Sequence, residues 1–140
     1  MCFIVDCPAK QAEKDILCFK VMSIDNKGRL NSLHYPSPKG YNLEDSIYGS
    51  GFYHGHPRRF AKHLSKQVDL NGEVVHSYRS LITARNLRNA CDFSLFGTYI
   101  VVQCIIPKGT WYWENQDGEY ASFELRLSEF DLCVTFSHKW

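Results

Sequence analysis

The densest group of chemically useful side chains is His54-Gly55-His56-Pro57-Arg58-Arg59. Proline suits the first position of a helix, where its missing N–H would be unpaired anyway. A helix opening at Pro57 presents unpaired backbone N–H groups and partial positive charge. Arginine adds paired donors that fit phosphate or carboxylate oxygens. Positive side chains in a first helical turn oppose the helix dipole unless an anion or an acidic group sits there. The pattern therefore points to an anion site with His54, His56, Arg58 and Arg59 as its ligands. The plain alternative is a solvated basic turn.

Two further segments carry candidate ligand contacts. His76-Ser77-Tyr78 is a polar stretch in a strand-like context. Trp111-Tyr112-Trp113 puts three aromatic residues in a row. Side chains alternate across a strand, so these three cannot share a face. Either Tyr112 or the pair Trp111 and Trp113 is then partly exposed. An exposed aromatic beside a cleft can stack on a base or a nicotinamide ring; otherwise the tryptophans close a sheet edge. No metal site is expected: Cys2 and Cys7 lack a Cys-x-x-Cys spacing, and His54 and His56 lack a helical His-x-x-x-His spacing. No cofactor is expected either.

The elements that must position these residues can be read along the chain. Residues 16–22 form a strand, and Asp25-Asn26-Lys27-Gly28 turns it. Residues 29–33 return as a second strand. Residues 34–51 are a long loop with one short strand near 46–48. A helix opens at Pro57, with Phe60 and Leu64 on one face. Residues 73–78 form a strand, and Ser80 caps a second helix. There Leu81, Ala84, Leu87 and Cys91 make an apolar stripe, with Arg85, Asn86, Arg88 and Asn89 outside. Residues 99–106 are apolar at nearly every position and read as a central strand covered on both faces. Residues 110–113, 119–127 and 132–136 complete the strands, with Asn115-Gln116-Asp117-Gly118 as a hairpin turn. The expectation is a single α+β domain over residues 1–140, with mostly antiparallel sheets of six or seven strands and two helices in the middle of the chain.

Composition sets the outer bounds. The chain has 140 residues, 44% hydrophobic and 22% charged, which excludes a disordered or fibrous chain. Net charge is +1, so bulk electrostatics calls for neither nucleic acid nor a membrane surface. No apolar run reaches the ~18 residues of a membrane-spanning helix. Charge is uneven all the same: residues 56–91 hold seven basic side chains against Asp69 and Glu73. Such a basic face is one route to a protein partner. The six cysteines include Cys18 and Cys104 inside apolar strand runs, where a free thiol acts as a small core residue. With only Phe3-Ile4-Val5 as an apolar start, a reduced, cytoplasmic protein is expected.

Three stretches carry a resemblance. Met1-Cys2 with Lys14-Asp15-Ile16-Leu17-Cys18-Phe19-Lys20-Val21 is one, and Val75-His76-Ser77-Tyr78 is another. Cys104-Ile105-Ile106-Pro107-Lys108-Gly109-Thr110 with Glu119-Tyr120-Ala121-Ser122 is the third. Together they resemble a family of small uncharacterised proteins of gut bacteria and their phages, a family that implies no established activity. The order of elements is also similar to ADP-ribosyltransferases of the Arg–Ser–Glu type. That resemblance implies Lys20 in the place of the first-strand arginine, Ser77 in the Ser-Thr-Ser strand, and Glu119 near the catalytic glutamate. Here the arginine is lysine, the Ser-Thr-Ser is absent, and Ala121 stands where a second glutamate belongs.

These readings converge on a binding module for a small anionic, nucleotide-like ligand, rather than an enzyme. Two alternatives stand beside it. One is a degenerate ADP-ribosyltransferase-like enzyme with Glu119 as its acid. The other is a module that meets a protein partner through its basic face.

Overall fold

Runs rich in β-branched, aromatic and sulfur side chains build the two longest strands, Ile16–Ile24 (β2) and Thr98–Ile106 (β6), which pair antiparallel along their whole length. In the computed structural model, residues 9–32, 37–49, 74–92 and 98–131 are described. Around the central pair stand Lys10–Gln11 (β1), Leu30–Asn31 (β3), Ser46–Tyr48 (β4), Val75–Tyr78 (β5), Trp111–Glu114 (β7), Glu119–Ser122 (β8) and Glu124–Phe130 (β9). One helix, Leu81–Asp92 (α1), lies among the described residues. The sheet runs β1-β7-β8-β5-β2-β6-β9-β4, with β3 on β2, and every pairing is antiparallel.

The α+β class is as expected, but the element count is not. Nine strands are present among the described residues where six or seven were expected, and one helix where two were expected. The helix expected to open at Pro57 and the strand expected over 132–136 lie outside the described residues. One extra strand comes from the stretch 119–127, which is not continuous. It breaks at Phe123, buried against Trp113 with ring centroids 5.5 Å apart. The other addition is the two-residue β1, which the polar Lys10 and Gln11 do not announce.

That break shapes the molecule. β8 and β9 are separated in the sheet by β5, β2 and β6. In a flat sheet the gap would be about 19 Å, four spacings of roughly 4.8 Å. A single residue, Phe123, joins them, and two peptide steps reach only about 7 Å. The sheet must therefore curl until its halves meet. Phe123 locks the meeting point: its N–H donates to the Trp111 carbonyl (3.3 Å), and its carbonyl accepts from the Gly49 N–H (3.0 Å).

The inside of the curl holds the main core: Cys18, Met22, Leu30, Ile47, Val75, Val102, Cys104, Ile106, Tyr120, Leu125 and Leu127. The outer face of β2 and β6 is covered by α1, where Ala84 meets Val101 among Phe19, Val21, Tyr78 and Leu81. Ser80 caps this helix, its hydroxyl accepting from the Thr83 N–H at 3.3 Å. Arg88, expected on the solvent side, is instead 5% exposed and donates from Nε to the Tyr99 carbonyl at 3.1 Å. Its long aliphatic stem lies in the interface while its head meets a main-chain oxygen.

Candidate functional site

In a strand, residues two apart share a face, so the inward neighbours of Lys20 on β2 are Cys18 and Met22. Cys104 stands opposite Cys18 on β6, and Val102 opposite Lys20. On the other flank β5 brings Ser77, itself opposite Tyr120 of β8. The result is a small polar group inside an otherwise apolar curl: the Lys20 amine, the Ser77 hydroxyl and two thiols. Lys20 is 8% exposed, and Ser77, Cys18 and Cys104 are fully buried.

The Lys20 ammonium has three hydrogens to donate. Its Nζ makes one hydrogen bond, to the His76 carbonyl at 3.0 Å, and no carboxylate pairs with it among the described residues. Burial pulls its pKa below the ordinary lysine value, only partly offset by Cys104 and Cys18. Burial also pushes the Cys18 thiol up to about 12, against the weaker pull of Ser77, the Ile106 N–H and the Lys20 charge. Cys104 is driven well above its usual range, again first by burial. Both cysteines are free thiols that hold their protons. Ser77 Oγ lies beside the Cys18 sulfur, a weak contact, and no group meets it at hydrogen-bonding geometry among the described residues. Tyr120, 6% exposed, has its hydroxyl raised to about 12 by burial and then by the Glu114 carboxylate.

The candidates named from sequence divide. Ser77 faces the inside of the curl, while His76 and Tyr78, one residue either side, face outward and are half-buried. His76 reaches the inner group through its main-chain carbonyl, not its imidazole. Tyr78 packs under α1. Trp113 is 1% exposed against Phe123, and Trp111 is half-buried at the β1 edge opposite Gln11. Glu119 stands opposite Tyr78, on the other face of the sheet from Ser77 and Lys20. Its main-chain N–H donates to Asn115 Oδ1 at 3.0 Å. The geometry thus brings Lys20 and Ser77 together and does not bring Glu119 to them. His54, His56, Arg58 and Arg59 lie outside the described residues.

The basic side chains of the helical region that are described are committed internally. Arg85 makes a two-pronged pair with Asp131 (2.8 and 3.0 Å), Arg79 pairs with Glu114 (3.1 Å), and Arg88 is buried. Among the described residues no cluster of histidine, cysteine and carboxylate side chains could hold a metal ion. None of their helices is long and apolar enough to cross a membrane.

Sequence reasoning underrated Lys20, which entered only through a resemblance. A signal was present: a lysine whose i−2 and i+2 neighbours are cysteine and methionine sits on the core side of an alternating strand. No family model matches the chain, and no curated protein or solved structure matches it.

Proposed function

We propose that the domain binds a small anionic ligand, of which nucleotide-like phosphates are one class, on the inner face of its curled sheet. Lys20, protonated when the anion is bound, is the cation of this reading, and Ser77 is the hydroxyl donor. The observation that carries it is the imbalance at Lys20: three potential donors and one acceptor at 3.0 Å, with a buried serine hydroxyl alongside that has no partner at hydrogen-bonding geometry among the described residues. A buried charge without a counter-charge is costly, and a buried polar group without a partner costs roughly 1–3 kcal/mol. An anion relieves both at once. The basic run at Arg58 and Arg59 supports the same ligand class from the sequence side.

A ligand that binds only the folded state stabilises it by mass action, by about 2.7 kcal/mol at a hundredfold excess over Kd. Inorganic phosphate, a nucleoside diphosphate and a small carboxylate should each be tried in thermal unfolding. At least one should raise Tm by roughly 5–10 °C. Lys20→Met should remove the rise, and Arg58→Ala with Arg59→Ala should reduce it. No rise with any anion in the wild type would overturn the reading.

A further inference from the structure

Resting on that reading, we infer that the anion taken at Lys20 is an α-oxo acid, condensed with Nζ as an imine. The amine is placed for it. Nζ lies inside the curl and makes a single hydrogen bond among the described residues, to the His76 carbonyl, which leaves the nitrogen lone pair uncommitted whenever the amine is neutral. The described polar groups around it are Cys18 on its own strand and Cys104, Ser77 and Tyr120 on the others, and none of these is a carboxylic acid. Burial favours the neutral amine further. A buried lysine whose pKa is pulled down by burial is suited to be the nucleophile of Schiff-base chemistry.

The condensation balances without a second reagent. The Nζ lone pair attacks the carbonyl carbon, and the carbonyl oxygen takes a proton to give a carbinolamine. The nitrogen then gives up a proton, the hydroxyl leaves as water, and the C=N bond forms. Ser77 Oγ, buried and with no partner at hydrogen-bonding geometry among the described residues, can donate to that oxygen as it becomes a hydroxyl and then departs. The two thiols hold their protons and do not compete as thiolates.

The α-oxo acid is favoured over a neutral aldehyde by charge. Once protonated, the imine is a buried cation, and no described carboxylate pairs with Lys20. The carboxylate of an α-oxo acid sits on the imine carbon itself and supplies the missing counter-charge. The ligand supplies a counter-charge that no described residue provides.

The test is reductive trapping. The full chain is incubated with glyoxylate or pyruvate at pH 7, treated with cyanoborohydride, digested, and mapped by mass. The adduct should fall on the Lys20 peptide, about tenfold or more above the exposed Lys10 and Lys39. A Tm rise without an adduct on Lys20 would overturn the imine and leave the anion reading standing, as would adducts confined to exposed lysines. Neither a Tm rise nor an adduct would remove both. Because mapping is done on the wild-type chain, a variant that fails to fold does not decide the question.

Discussion

Lys20 and its neighbours titrate in opposite senses. With its folded pKa held below the ordinary 10.5, Lys20 favours the native state most above that pH, and this contribution is lost as pH falls. Cys18 is the reverse. Its folded pKa of about 12 lies above the ordinary 9.0, so its contribution is complete below pH 9 and is lost as pH rises. Cys104 shares that sign, and Tyr120 adds to it above pH 10. Urea unfolding of unliganded protein from pH 7 to 10.5 separates the two. Relative to wild type, Lys20→Met should gain stability as pH is lowered from 10.5 toward 7. Cys18→Ala should flatten the loss above pH 9, which is about 1.4 kcal/mol per pH unit for each buried thiol. If the Lys20→Met difference does not move with pH, the amine is charged in the native state and is not poised to form an imine.

At the scale of elements, α1 is held by more than its apolar stripe. Arg88 reaches the Tyr99 carbonyl at the start of β6 from a nearly buried position. Arg88→Met keeps the stem and loses the donor, so it should cost about 1–3 kcal/mol in chemical denaturation. Arg79→Met removes a pair whose arginine side chain is 60% exposed, and should cost less than about 1 kcal/mol. Equal costs would show that Arg88 acts through bulk alone. The helix itself was legible: Ser80 as cap, and Leu81 and Ala84 at helical spacing on the buried face. The inward turn of Arg88 was not, because arginine reads as a solvent residue until a particular carbonyl is seen in front of it.

For the whole molecule, Phe123 closes the curl that creates the inner face. Phe123→Ala should destabilise by about 3–5 kcal/mol, the usual cost of deleting a buried phenylalanine. Phe123→Leu should cost less, since it keeps an apolar side chain at the corner. Because Lys20 and Ser77 lie inside the same curl, the alanine variant should also weaken the anion-dependent rise in Tm. A fully retained rise would mean that the inner face does not depend on this closure.

What the sequence by itself determined is the local grammar. Largely apolar runs mark β2 and β6, Asp25 to Gly28 and Asn115 to Gly118 mark the turns, and Ser80 marks the helix start. Gly28 and Gly118 take φ of 80° and 77°, which glycine adopts at little cost. These signals depend on neighbours in the chain. Only the tertiary structure decided which face of each strand is the inside, that β8 and β9 belong to opposite halves of the sheet, and that Lys20 meets Ser77. Each depends on pairing between strands far apart in sequence. A one-residue change of register would move every side chain of a strand to the other face. Alternation shows that Ser77 and His76 face opposite ways, but long-range hydrogen bonding alone settles which of them stands beside the buried amine.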